Sequence, residues 1–275
     1  MKFNKKLVTC GLILFILTWT GNIIYYKNQI LKEPLFMKHY YDIGNGIGDF
    51  MLSYIDNINS KNKVVSIMFP EIGQQFYCQE VWENSDRRYH VLKTIQVNLN
   101  NKDTNKIAKE FENKIITQAE VMLFNGEKLN VNLGKIYIHS EETKENQLKS
   151  RGSSASNNNT QSTFFDADRD IKIIGIKGKI YEELRDVLQV SVKGKNLSDS
   201  AFPVNIKSGE NFDISYAFKF NENDIRKNNA YSFTLDILTE DSQGNKGVAT
   251  CYLQYNSCFP RNYDVKVLKN SREGE

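Results

Sequence analysis

The feature that most constrains this chain is an uncharged, apolar run of residues, LVTCGLILFILTWTGNIIYY, which extends from Leu7 to Tyr26. As an α-helix with a rise of about 1.5 Å per residue, such a run would be about 30 Å long, which is the thickness of the hydrocarbon core of a bilayer. Trp19 and Tyr25 lie towards its end, where amphipathic rings favour the membrane interface. The run therefore predicts a helix that contacts the lipid bilayer from Leu7 to Tyr26.

The charges before this helix predict its orientation. Lys2, Lys5 and Lys6 precede the apolar run, and no acidic residue accompanies them. Because positively charged flanks stay on the cytoplasmic side, we expect residues 1–6 to be a short cytoplasmic tail and the rest of the chain to lie outside. This pattern is typical of a single-pass protein of the cell membrane that carries an extracellular domain.

A cleavable signal peptide is the alternative to a retained signal anchor. Cleavage requires small residues at the positions −3 and −1, and Thr18-Trp19-Thr20 matches this pattern poorly. The apolar run also continues beyond that point, at Ile23 and Ile24. Retention in the membrane is therefore the prediction, and secretion after cleavage is the alternative.

The charge balance argues against binding to nucleic acids. The chain has 36 basic and 33 acidic residues, so without the three N-terminal lysines the two signs are equal. Nucleic-acid binding normally requires a clustered basic surface. GNGIGD, which begins at Gly44, has Asp49 where a dinucleotide-binding loop needs its third glycine. We therefore expect no nucleic acid, no nucleotide and no cofactor.

Beyond the apolar run, the dominant hydrophobic period is two, which is typical of β-strands. Phe50 to Ile55 and the VVSIMF run that starts at Val64 predict a hairpin, and similar runs follow at short intervals. We therefore expect a mainly β fold, with one or two antiparallel, immunoglobulin-like β-sandwich modules and little helix. Short helices are predicted at Thr104–Lys114 and Tyr181–Asp186.

Composition suggests where the modules begin and end. A polar stalk is predicted from Lys27 to about Pro34, and a first module over residues 35–139. Residues 140–163 have almost no apolar content, which is typical of a flexible linker. A second module would then cover residues 164–260, followed by a polar tail over 261–275. The alternative is a single domain in which residues 140–163 form a long loop.

Two segments of the chain are similar to each other. Leu123–Tyr137 and Lys207–Phe220 both contain a glycine and a glutamate followed by alternating apolar residues, so that Gly126 aligns with Gly209. This pattern resembles the late strands of immunoglobulin-like modules in bacterial surface proteins. The resemblance implies a β-sandwich that binds through its surface.

One group of residues is a candidate metal site. Asp166, Asp168 and Asp170 alternate as oxygen ligands at the start of a calcium loop do. An EF-hand would need glycine at position 171 and glutamate at 177, where this chain has Ile171 and Lys177. A calcium site of another kind or a solvated strand end are the two interpretations. His39, His90 and His139 have no zinc-ligand spacing and are expected to be structural.

The exported cysteines are few. Cys251 and Cys258 could form a disulfide bond across a hairpin if residues 254 and 255 formed its turn. Against this, Cys251 alternates with Ala249 and Leu253, as a core residue would. Cys78 would be unpaired in either case.

The sequence carries no recognisable catalytic motif, so we lean towards a protein that is not an enzyme. The leading hypothesis is a membrane-anchored binding or interaction module of a bacterial cell envelope, whose partner is an envelope protein or a wall polymer. One alternative is an envelope hydrolase whose carboxylates converge only in the folded chain. The other is a structural spacer.

Overall fold

The computed structural model describes residues 5–44, 48–84, 88–101, 104, 106–140, 148–156, 159–197, 202–256 and 263–273. Strands outnumber helices by far in this part of the chain, which confirms the predicted mainly β fold with minor helix. The two halves of the chain each enclose a hydrophobic cluster, one formed mainly by residues 36–138 and the other by residues 148–255.

The N-terminal helix, α1, extends from Lys5 to Gln29. Its segment Val8–Gln29 is long and apolar enough to cross a membrane, although a signal sequence would have the same properties. The prediction of a polar stalk after it is wrong. The helix continues through Lys27, and Leu31 is buried two residues beyond the helix end. The side chain of Asn57 donates to the carbonyl of Leu31 and accepts from its amide, which fixes the chain where a stalk was expected.

The first half of the chain forms two sheets around the first cluster. One sheet has the order β1-β3-β7-β6, and the other contains β2-β9-β8-β4-β5. The strands are β1 Leu35–Phe36, β2 His39–Ile43, β3 Asp49–Asn57, β4 Val64–Phe69, β5 Gln74–Tyr77, β6 Gln79–Asn84, β7 His90–Asn98, β8 Ile115–Leu123 and β9 Lys128–Ile138.

The hairpin predicted between Phe50 and Phe69 is wrong, although both of its strands exist. Strand β3 pairs with β1 and β7, whereas β4 pairs with β5 and β8 in the opposite sheet. A period of two identifies a strand that buries one face, but two strands that face each other across a core show the same period as two paired strands.

The helix predicted at Thr104–Lys114 is also wrong. Within its described residues, Ile107 forms an isolated bridge with Asn100, and Lys109–Phe111 is a single 3₁₀ turn. Ile107 and Phe111 pack into the first cluster, so their spacing of four reflects two separate contacts with the core. The helix predicted at Tyr181–Asp186 is confirmed as α2, Lys179–Leu184.

The second half of the chain forms a five-stranded sheet, β10-β11-β16-β13-β14, which packs against a second sheet that contains β15-β12-β17-β18. A C-terminal helix, α3, follows at Val265–Glu273. The strands are β10 Lys149–Ala155, β11 Thr160–Asp166, β12 Ile171–Lys177, β13 Leu188–Val192, β14 Lys195–Asn196, β15 Val204–Ile206, β16 Asn211–Phe218, β17 Ala230–Asp241 and β18 Lys246–Tyr255.

The flexible linker predicted over residues 140–163 is not present as such. Strand β10 lies inside this range, and β11 begins there and pairs with β10 from Lys149–Asp166 to Ala155–Gln161. Composition could not reveal β10, because every residue in it is exposed and the strand has no apolar face; it is held at the sheet edge mainly by its backbone pairing with β11. Residues 141–147 lie outside the described part of the chain. The division into two modules stays a prediction.

The internal similarity predicts local structure correctly. Gly126 and Gly209 both have positive φ angles, 84° and 78°, and each lies in the turn before a strand, β9 or β16. The aligned apolar pairs are all buried: Leu129 with Phe212, and Val131 with Ile214.

The two halves share one continuous sheet because of strand β2. It runs parallel to β9 from His39–Gly134 to Ile43–Ile138, and parallel to β17 from Ala230–His39 to Ser232–Tyr41. The result is a mixed sheet of nine strands that extends from one half into the other. The other strand pairs in the described part of the chain are antiparallel, as predicted, so the two parallel pairings of β2 are what make this sheet mixed.

Gly134 permits β2 to approach β9. Its φ angle is 88°, and a Cβ atom at this position would come within 2.6 Å of the carbonyl oxygen of His39. Gly126 has a similar φ angle of 84°, but no atom lies within 4 Å of the place its Cβ would occupy. Substitutions at these two glycines therefore distinguish the effect of backbone strain alone from that of strain combined with steric overlap.

We expect Gly134→Ala to lower the free energy of unfolding by about 3 kcal/mol or more, because it adds steric overlap to the strain of a left-handed residue. Gly126→Ala, the matched control, should lose only about 1–2 kcal/mol from backbone strain. Urea unfolding of both variants measures the difference. Equal losses would mean that β2 does not pack closely on β9.

His39 attaches β2 to the sheet that contains β3. Its side chain is fully buried, and its Nε2 atom accepts a hydrogen bond of 2.9 Å from the backbone amide of Ser53. Burial disfavours the charged imidazolium and lowers the pKa of His39 to about 3. An unfolded histidine titrates near pH 6.5, so only the unfolded chain takes up this proton in mildly acidic solution.

The stability that neutral His39 contributes should be fully present above about pH 6.5 and should be lost as the pH falls towards 3. This group alone should lower the free energy of unfolding by about 2 kcal/mol between pH 7 and pH 5. Urea unfolding across this range should show a weaker pH dependence for His39→Gln. If the variant and the parent chain lost stability in parallel, His39 would not be buried in its neutral form.

Candidate functional site

A cleft opens where strand β17 changes its partner. Residues 230–232 of β17 pair with β2, and residues 236–241 pair with β12 on the same side of the strand. Strand β2 runs parallel to β17 and β12 runs antiparallel to it, so the two approach this point from opposite directions. Both therefore have their carboxyl ends here. Where strands separate at their carboxyl ends, a sheet leaves a crevice for a ligand, as is common in open parallel sheets.

The cleft has a volume of about 490 Å³, which is within the usual range for small-ligand sites. It lies between the two halves of the chain, and most of its lining residues have polar side chains, although apolar atoms make up much of the exposed wall. The lining residues are Tyr41, Asp42, Ile43, Gly44, Asp49, Phe50, Met51, Gln96, Asn113, His139, Ser140, Lys177, Gly178, Lys179, Ser232, Thr234, Asp236, Tyr252 and Gln254.

Asp42 and His139 form a close pair in the wall of the cleft. The Oδ1 atom of Asp42 lies 2.5 Å from Nε2 of His139, but the two do not have the angular geometry of a hydrogen bond. The Oδ2 atom of Asp42 accepts from the hydroxyl of Thr234 on β17. The His139 ring stacks on Tyr137. These contacts link the ends of β2 and β9 to β17 and hold both side chains in place.

Strands β17 and β18 supply another wall. The hydroxyls of Ser232 and Tyr252 are 2.6 Å apart, and the amide of Gln254 donates to the Tyr252 hydroxyl. Tyr252 is 45% exposed, so its ring presents a broad surface even though its hydroxyl is held. Asp236 accepts a hydrogen bond from Thr250.

Two lysines lie at the mouth of the cleft. Lys177 ends β12, Lys179 begins α2, and both are exposed. The ammonium group of Lys179 lies 5.3 Å from the centre of the Tyr137 ring. Acidic and basic groups therefore occur together, so a neutral polar ligand suits the site better than one of high charge.

The chemistry of the lining favours hydrogen bonding to a ligand with many hydroxyl groups. Each carboxylate accepts hydrogen bonds at two oxygens, and each primary amide both donates and accepts. The exposed ring of Tyr252 can pack against apolar C–H surface. In the part of the chain that the structure describes, no group of three or more His, Cys, Asp or Glu residues could hold a metal ion.

The predicted calcium ligands have separate local contacts and do not line the cleft. Asp168 is exposed and pairs with Arg169, which lowers the pKa of the Asp168 carboxyl. Asp170 accepts from the backbone amide of Ser208, and Asp166 lies 3.6 Å from Arg151. These contacts account for strand ends and a turn, and the calcium site stays an untested prediction.

Cys78 and Cys251 are packing residues. Cys251 is fully buried in the second cluster, as its alternation with Ala249 and Leu253 indicated. Burial raises the pKa of the Cys251 and Cys78 thiols to about 12, so neither is a nucleophile at neutral pH. Cys258 lies outside the described residues, so the disulfide bond with Cys251 stays a prediction.

The histidines differ in their surroundings. His39 is buried, and Nε2 of His90 lies 2.7 Å from the carbonyl oxygen of Gln29 at the end of α1. Only His139 lines the cleft. The sequence carried no sign that His139 follows a strand that is the parallel neighbour of the strand containing Asp42, which is what brings these two residues together.

No family model matches the chain, and neither does any curated protein. Solved structures similar to it include the fibronectin(III)-like modules of Clostridium thermocellum CbhA, at 11% identity over 81% of this chain and 93% of that chain, with a TM-score of 0.24. The D00-D0 domain of Intimin is 8% identical over 81% of this chain and 99% of that one, with a TM-score of 0.21. The pullulanase from Anoxybacillus sp. LM18-11 is 8% identical over 78% of this chain and 27% of that one, with a TM-score of 0.23. The first two agree with an immunoglobulin-like resemblance.

Proposed function

We propose that this chain is a binding protein of a bacterial cell envelope, anchored in the membrane by α1, and that it binds a wall glycan in the cleft between its two halves. The observation that carries the proposal is the cleft lining, which combines fixed carboxylates and amides with the exposed ring of Tyr252. The predicted orientation, with the β-rich part outside the cytoplasm, would place the cleft in the same compartment as the wall.

A glycan fits this lining for two physical reasons. Its neighbouring hydroxyls can donate to both oxygens of one carboxylate, such as Asp236, and exchange hydrogen bonds with the amide of Gln254. Its C–H faces can pack on the ring of Tyr252, which removes apolar surface from water. The mixed charges of Asp49, Lys177 and Lys179 at the same site favour a ligand with little net charge.

An envelope hydrolase is the second candidate, and the Asp42–His139 pair favours it. A carboxylate beside an imidazole can orient the ring as a general base. Release of reducing ends from a wall glycan, abolished by both Asp42→Asn and His139→Gln, would support hydrolysis. Binding without any release would support the binding protein.

Isothermal titration of the full chain with soluble fragments of wall glycan tests the proposal. Asp236→Asn should raise the Kd about 10-fold, because it removes a charged hydrogen-bond acceptor that contributes about 1.5 kcal/mol. Tyr252→Ala should weaken binding by a similar factor, whereas Tyr252→Phe, which keeps the ring, should lose less.

Asp168→Asn is the matched control, because Asp168 is exposed and lies outside the cleft lining. It should leave the Kd unchanged. If the parent chain bound no glycan fragment, or if all four variants bound equally well, the glycan proposal would fail. A protein captured by cross-linking in the same cells would then become the leading partner.

A further inference from the structure

Helix α1 does not leave the β-rich part of the chain on a free tether. Tyr25 and Tyr26 contact the ring of Tyr89 edge to face, with ring centres 6.2 and 6.0 Å apart. His90 contacts the last carbonyl of the helix, at Gln29. The end of the anchor is therefore packed directly against the loop that precedes β7.

The C-terminal helix α3 belongs to the same joint. Leu31, which follows α1 by two residues, lies in a small hydrophobic cluster with Leu268 of α3. Leu35, Met37, Ile55 and Leu92 complete the buried part of this cluster, and Val265 packs against it. The two ends of the chain thus meet at the base of the β-rich part.

Distance along the chain places α3 near the membrane surface. From Tyr26 to Gln29 the helix rises about 5 Å, and two extended residues add at most about 7 Å. Leu31 therefore lies no more than about 12 Å beyond the apolar end of α1. The headgroup layer on each side of a bilayer is about 5–7 Å thick. A helix that packs on Leu31 therefore lies within about 7 Å of the outer boundary of that layer, which a lysine side chain can span.

The charge at this joint is mostly positive. The described residues of 27–34, 88–89 and 263–270 include five basic and two acidic side chains. The carboxylate of Asp264, one of the two acidic residues, accepts hydrogen bonds from the backbone amides of Lys266 and Val267 at the start of α3. Lys27, Lys32, Arg88 and Lys266 are exposed, and Lys269 is partly exposed.

We propose that α3 is a second membrane contact, which binds anionic phospholipid headgroups through Lys266 and Lys269. The inference rests on the proposed membrane anchoring by α1. Two observations favour lipid as the partner. The charge of α3 is opposite to that of an anionic bilayer, and α3 packs directly beside the end of the anchor. Two contacts with the membrane hold the cleft in a fixed orientation above it.

Lysine acetylation of the full chain tests this in nanodiscs of phosphatidylcholine alone and of phosphatidylcholine with phosphatidylglycerol. Mass spectrometry gives the labelling rate at each lysine. Lys266 and Lys269 should react about 3- to 10-fold more slowly in the anionic discs, and salt at about 0.5 M should remove most of the difference by screening. Lys177 and Lys179, which are exposed at the cleft, are the internal controls and should react at equal rates in both discs.

Equal rates at Lys266 and Lys269 in the two kinds of disc, from a chain that elutes with the discs, would overturn the second contact and leave the anchor intact. A chain that does not elute with either disc would overturn the membrane anchor and this inference together. Slowing at all four lysines would also overturn it, because the effect would then not be specific to α3.

Discussion

The parallel pairing of β2 with β9 and β17 is the interaction on which the rest of the structure depends. A strand of five residues, His39–Ile43, joins segments that lie about a hundred and two hundred residues further along the chain. Because parallel neighbours end at the same edge, this pairing brings the carboxyl end of β2 next to that of β9 and beside the middle of β17. The cleft exists because β17 must then take a different partner, β12, beyond Ser232. Gly134 and His39 are the residues that make the close packing of β2 feasible, one by lacking a side chain and the other by remaining neutral when buried.

The same pairing explains how much could be predicted from the sequence. Local patterns gave the apolar helix, most strands, the short helix near Tyr181 and the glycine turns at positions 126 and 209, because each depends on neighbours in the chain. The hairpin after Phe50 and the linker before Phe164 were wrong, because sheet membership is decided by distant partners and an exposed edge strand has no apolar signature. Asp42 and His139 could not be recognised as a pair for the same reason. Asp42 lies in one ordinary strand and His139 follows another, and only the long-range parallel register makes them neighbours.

The proposed binding function depends on a cleft whose side chains are held rigidly in place. The site is built from strand ends instead of long loops, so its polar groups are already held by Thr234, Ser232 and Thr250 before a ligand arrives. A site that is ordered in advance loses little conformational entropy on binding. The joint between α1, Leu31 and α3 extends this order to the end of α1. A binding protein with these properties would present its cleft at a defined height and angle, whereas a flexible stalk would let the cleft sample many positions.

Backbone amide hydrogen exchange of the intact chain tests the central claim, that β2 is a permanent strand of a sheet shared by both halves. The account predicts that the amides of residues 39–43 and 230–232 exchange as slowly as those of the β8–β9 pair, because opening them requires the two halves to separate. Rapid exchange of residues 39–43, with β8, β9 and β17 still protected, would contradict it. The two halves would then be independent modules, and the cleft between them would not be a preformed site.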